Sequence, residues 1–205
     1  MTRRMIRLFL MMAAGVGLAG CATTRVPLST AIPEDELPAK PYNTAFALLF
    51  DPEFATQSVT RWSPMGMAYL KYPLGEVATS ILTNTLKRCV VQVVVVTEKP
   101  PFKDAALAKA LYTVYPQITD FTCSHDALAN GRGEYRAEIE LFVTVYAANG
   151  TVVWERIYQV TGLAKARSGV SREANFAAAA DIALRRAVTQ LVEELGRLPG
   201  VAQAK

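Results

Sequence analysis

Side chains able to do chemistry are sparse in this sequence. His125 is the single imidazole. It stands between Ser124 and Asp126, and a serine-hydrolase arrangement would need it as the base for a remote Ser and Asp. Cys-Ser-His-Asp at a strand end reads more simply as a polar turn. Glu138 and Glu140 are two apart, the spacing that sets both carboxylates on one face of a strand. They would form an acid/base pair only if buried together, and a solvated face is the simpler reading. Three cysteines, Cys21, Cys89 and Cys123, with one histidine are too few for a metal centre. The chain has no Gly-x-Ser-x-Gly elbow, His-Glu-x-x-His helix, Walker loop or Gly-x-Gly-x-x-Gly turn. The expectation is a protein that is not an enzyme, with no catalytic residues, no cofactor and no metal.

The clearest chemistry lies at the start of the chain. Arg3, Arg4 and Arg7 precede an apolar run over residues 8–19, followed by small residues, which is the build of an export signal. As a helix that run rises about 18 Å, against a hydrocarbon core of about 30 Å, so it is a targeting segment and not a stable span. The residues that end it, Leu18-Ala19-Gly20-Cys21, resemble the lipobox of bacterial lipoproteins. That resemblance implies a signal peptide over 1–20, acylation of Cys21 with palmitate-type chains and cleavage before it. Three acyl chains at about 0.8 kcal/mol per buried methylene exceed what stable anchoring requires. In the same family the residue after the cysteine influences sorting. Ala22 in that position implies the periplasmic face of the outer membrane.

The signal also changes the charge argument. The chain carries 22 Lys and Arg against 18 Asp and Glu, a balance that looks suited to nucleic acid. Three of the basic residues lie in the signal, which has no acidic residue, so the mature chain is close to neutral and nucleic acid is not an expected partner. Export to an oxidising compartment also makes Cys89 and Cys123 a disulfide candidate, with two buried free thiols as the alternative.

Residues 21–43 are polar, with Pro27, Pro33, Pro38 and Pro41 and an acidic cluster at Glu34, Asp35 and Glu36. They are expected to be a flexible tether with a coil dimension on the order of 25 Å, the alternative being a strap on the domain surface. A single domain follows over 44–205. Residues 44–50 form a short apolar run ended by Asp51-Pro52, read as a strand buried on both faces. Residues 74–88 have helical spacing, with Ala78, Leu82, Thr85, Leu86 and Cys89 on one stripe. The β-branched run 90–97 predicts a strand, 104–112 a short helix and 116–123 a further strand. Along 134–161, Tyr135, Ala137, Ile139, Leu141, Val143 and Val145 alternate with mostly polar residues, and Asn149-Gly150 supplies a two-residue turn. This hairpin register sets Val145 opposite Trp154, Leu141 opposite Tyr158 and Ile139 opposite Val160 on one face. Phe142 and Ile157 meet on the other. A long helix closes the chain, capped by Ser171, with Phe176, Ala180, Leu184, Ala187, Leu191 and Leu195 on its apolar stripe. The order predicts an α+β fold, a mixed and largely antiparallel sheet with helices on one face in a two-layer sandwich.

Ile118-Thr119-Asp120-Phe121, the alternating strand to Val145, Gly150-Thr151-Val152-Val153-Trp154 and the alanine-rich last helix together resemble the auxiliary lipoproteins of ABC-type envelope transporters and the lipopolysaccharide-assembly lipoprotein. The resemblance implies an accessory subunit anchored in the membrane and partnered with envelope proteins, transporter components among them. Trp62, Met65, Met67, Tyr69 and Tyr72 lie in a segment without clean periodicity whose residue types dominate adaptable contact surfaces. With Phe142 and Ile157 they are the candidate partner surface. A lipid- or peptide-binding module is the rival reading, and a periplasmic hydrolase relying on His125 a third.

Overall fold

The computed structural model describes residues 23–29, 31–37, 42–62, 69–104, 107–127 and 133–201. Its main sheet has five strands: β2 (Tyr42–Leu49), β5 (Val90–Val96), β6 (Tyr112–Asp126), β7 (Glu134–Ala147) and β8 (Val152–Lys165), in the order β5-β2-β6-β7-β8. β2 runs parallel to both its neighbours, and the β6-β7-β8 ladders are antiparallel. A second sheet of three short strands, β1 (Thr23–Arg25), β4 (Tyr69–Tyr72) and β3 (Val59–Trp62), lies in the order β1-β4-β3. The helices are α1 (Pro52–Thr56), α2 (Leu74–Cys89) and α3 (Arg172–Leu195). The predicted α+β sandwich is thus the observed fold class, enlarged by a second sheet.

Local chemistry explains most of these elements. Asp51 caps α1 by accepting from the Phe54 N–H, and Ser171 caps α3 by accepting from the Ala174 N–H. The predicted stripes of α2 and α3 are all buried. The hairpin register is the predicted one, with Val145 opposite Trp154, Leu141 opposite Tyr158 and Ile139 opposite Val160. Its turn differs. A bulge between Val145 and Tyr146 shifts the register by one, the Ala147 N–H donates to Thr151 O, and Gly150 takes a φ of 86°. The loop is therefore three residues long with a left-handed glycine at its end, and not the two-residue turn expected of Asn149-Gly150.

The main core lies on one side of the five-stranded sheet, beneath α2, α3 and the smaller sheet. α3 comes close because Gly162 on β8 has no side chain. A Cβ there would lie 2.0 Å from Ala179 O and 2.6 Å from Ala183 N. A smaller apolar cluster on the opposite face joins Ala47, Leu49 and Val96 to Ala110, with Phe102, Leu107 and Tyr115 against them. Part of the chain from 97 to 111 covers that face, and this corrects the expected short helix over 104–112. Among the described residues of that stretch a 3-10 turn at Leu107–Lys109 is the helical element, and Tyr112 already opens β6.

The predicted tether is the larger correction. Residues 23–29 and 31–37 lie on the domain as a strap. β1 pairs in parallel with β4, the Val26 N–H donates to Lys71 O, and Val26 and Ile32 are buried. Two buried apolar side chains, with Leu28 and Leu37 half-buried beside them and a backbone ladder, hold a stretch whose composition is otherwise that of a linker.

Candidate interaction surfaces

The residues that could carry chemistry each have a structural partner. His125 pairs with Tyr135 across β6 and β7, with ring centroids 4.4 Å apart, and Tyr135 in turn packs edge-on against Phe176 at 4.8 Å. Glu138 is exposed and Glu140 half-buried, and the two carboxylates are separately satisfied. Glu138 pairs with Arg136. Glu140 accepts from Thr119 Oγ1 at 2.6 Å and Gln159 Nε2 at 2.8 Å, bonds that hold its carboxyl below the usual carboxylate range. No group of three or more His, Cys, Asp or Glu side chains able to hold a metal occurs among the described residues.

The disulfide expected between Cys89 and Cys123 is not formed. Cys89 closes α2 in the core. Cys123, on β6, lies 3.5 Å from the Tyr72 hydroxyl. Burial pushes both thiols up, which keeps them protonated and unreactive. Strand neighbourhood in sequence brought each thiol to a strand end, but not to the same one.

The candidate partner surface divides into three. Tyr72 leaves it altogether: it is 0% exposed, its ring lies 4.7 Å from Phe121, and it alternates with Leu70 on the inward face of β4. Trp62 and Tyr69 remain on the surface, 49% and 39% exposed, paired across β3 and β4 with their rings edge to face at 4.8 Å. Phe142 and Ile157 face each other across β7 and β8 on the outer face of the main sheet. Phe142 is half-buried and Ile157 is 53% exposed. Polar pairs flank them, Glu140 with Gln159 on one side and Thr144 with Glu155 on the other. Met65, Met67 and the lipobox Cys21 lie outside the described residues.

One concavity has no counterpart in the sequence reading. A groove of about 900 Å³ runs between the strap and α3, lined by Glu36, Tyr42, Arg185, Thr189, Glu193 and Arg197 among others. Arg185 Nε and Thr189 Oγ1 are buried beside it without a hydrogen-bond partner. Only the docked strap creates this groove, so no periodicity of α3 alone could have revealed it. No described helix is long and apolar enough to cross a membrane.

No family model matches the chain, and no curated protein matches it in sequence. Solved structures do. Protein XCC0632 from Xanthomonas campestris, of the family DUF330, is similar with a TM-score of 0.52 at 16% identity, over 85% of this chain and 94% of that one. The two share a fold. A minor lipoprotein from Acinetobacter baumannii gives a TM-score of 0.42 at 10% identity, over 80% of this chain and 98% of that one. A lipoprotein structure from Caulobacter crescentus gives 0.29 at 15% identity, over 42% and 61%. These last two are too distant in structure to carry an argument.

Proposed function

We propose that this chain is a lipid-anchored protein of the bacterial envelope, acylated at Cys21 and held on the periplasmic face of the outer membrane. It works without catalysis, by docking on other envelope proteins, as an auxiliary component of an ABC-type lipid or envelope transport system. The anchor reading is supported by Leu18-Ala19-Gly20-Cys21 behind a cationic and apolar segment, and the outer-membrane reading by Ala22. The observation that carries the docking reading is the Phe142–Ile157 pair. Two apolar side chains stand in register on a sheet face whose neighbouring polar groups are already bonded to one another.

Photo-cross-linking in cells from probes placed at Phe142 and Ile157 tests it. A discrete envelope protein, captured from both positions and lost when the two residues are replaced by Ser, is the expected result. No capture at normal abundance overturns the docking reading.

The groove along α3 favours a second reading, a ligand-binding module, because its volume and the polar and charged side chains that line it, Glu193 and Arg197 among them, suit a small polar ligand. Native mass spectrometry of the purified protein separates the two, since only a binding module would retain a co-purified molecule. An unchanged phenotype of His125→Ala removes the hydrolase reading.

A further inference from the structure

We propose that the Trp62–Tyr69 end of the three-stranded sheet is a bilayer-contact surface, which seats the domain directly on the membrane that holds the Cys21 acyl chains. This rests on the anchor reading above.

The argument begins with register. Thr23 of β1 is opposite Tyr69 of β4, and Tyr69 is opposite Trp62 of β3, so the three residues form one row across the sheet. Cys21 is two residues before Thr23. Two residues span at most about 7 Å, so the acylated position cannot be far from that row. β1 is not free to move away from it. Its ladder to β4, the Val26 N–H on Lys71 O, the buried Val26 side chain and the Arg25–Glu76 ion pair fix it to the domain. The aromatic row and the strap from Thr23 onward therefore belong to one body, and a docked strap cannot lift the domain off the bilayer as a free tether would.

The chemistry of the exposed face fits that position. Indole and phenol rings, each with an apolar body and one polar group, are the side chains enriched where hydrocarbon meets headgroups. One alternation further along the strands, about 7 Å away, the same face carries Lys71 with Arg25 and Thr60 in its row. Lys71 is exposed and has no ion pair among the described residues. The Lys71 ammonium group at that height suits the phosphates of anionic lipids, while Arg25 is held by Glu76. The opposite side of β4, Leu70 and Tyr72, is core. An aromatic row at the anchored edge with the Lys71 ammonium above it is the layering of a residue set seated at an interface.

The full-length lipoprotein, carrying Trp154→Phe so that Trp62 is the sole indole, is reconstituted in vesicles of phosphatidylethanolamine and phosphatidylglycerol brominated high on the acyl chains. Flotation and the mass of the N-terminal peptide are measured on the same sample. The expected result is a protein that floats and loses roughly half of its Trp62 emission, as for an indole held at headgroup level. The converse variant, Trp62→Phe with Trp154 retained, should float without quenching. Acylated protein that floats while Trp62 stays unquenched overturns this proposal and leaves the anchor standing. That result with Trp62 cross-linking to an envelope protein in cells would assign the row to a protein partner instead. Protein that carries no fatty acid and does not float overturns the anchor reading, and this proposal with it.

Discussion

The β7-β8-α3 unit and the strap with its three-stranded sheet are held together by different means, and the difference indicates where the molecule is strong. In the first, an unbroken inward row of Ala137, Ile139, Leu141, Val143 and Val145 meets Tyr158 and Val160 from β8 and the alanine-rich side of α3, all buried. In the second, the strands are three or four residues long, and Val26 and Ile32, which follow β1, are the buried apolar residues of the strap. Leu28 and Leu37 pack half-buried against the core, and the remaining ties are polar: Arg25 with Glu76, Arg88 with Glu34 and Ile32 O, the Ser29 N–H with Asp181, and Arg185 with Glu36. Exposed ion pairs of this kind contribute from nothing to about 1 kcal/mol each. The strap is therefore the element expected to open first, while the hairpin and helix set the global stability. Any load arriving through Cys21 would enter the fold at its weaker part.

The largest effect should follow from Gly162→Ala. The added methyl would sit 2.0 Å from Ala179 O, where only movement of α3 relieves the clash, because the obstacle is backbone. Overpacking at such a site should lower stability on the order of 3 kcal/mol, read as a drop in the urea midpoint with an unchanged slope. A change below about 1 kcal/mol would mean that α3 slides easily on β8, and that the contrast between the two regions is smaller than their packing indicates.

Val26→Asp breaks the other region. It places a carboxylate where a fully buried methyl pair stood, and the strap can avoid that cost by detaching. The global loss should then be limited to the docking energy of the strap, about 2 kcal/mol. Proteolysis should shift to residues 23–37, and the Val26 amide should lose its protection from hydrogen exchange. Equal loss of protection in β7 and β8 would show that the strap and the hairpin unfold as one unit.

The same contrast explains what was legible in the sequence. The hairpin and α3 are local: strict alternation, a turn glycine and a helix stripe lie within one continuous stretch, so the pairing of Val145 with Trp154 follows from counting. The smaller sheet is non-local. β1 pairs in parallel with a strand more than forty positions away, and three or four residues are too few to show a period. Residue type groups Tyr72 with Trp62 and Tyr69, whereas the alternation along β4 sends it inward. The surface pairs were half legible. Phe142 opposite Ile157 follows from the hairpin register, but Trp62 beside Thr23 requires two strand pairings that composition does not encode. Free thiols at Cys89 and Cys123 were likewise beyond reach, because their separation depends on how α2 crosses the sheet.

The smallest expected effect lies where the two regions meet. Asp181 on α3 accepts the Ser29 N–H of the strap at 2.7 Å. Burial raises its carboxyl above the ordinary value, outweighing the lowering by that bond and by Arg185. An acid raised in the folded state holds more protons folded than unfolded between the two values, so its contribution to stability falls as pH rises through that window. At neutral pH the charged carboxylate is then a net cost. Asp181→Asn retains an acceptor for Ser29 and removes the charge, so the variant should be slightly more stable than the parent at pH 7, with the gain vanishing below the ordinary carboxylate range. Asp51 has the opposite sign, because bonds from the Tyr115 hydroxyl and the Phe54 N–H lower it and its contribution is lost on acidification. Both proteins share that term, so the difference between their pH–stability curves isolates Asp181. If the variant is instead the less stable at neutral pH, attraction between Asp181 and Arg185 exceeds the burial cost. The strap would then be held to α3 by charge, and added salt should loosen it.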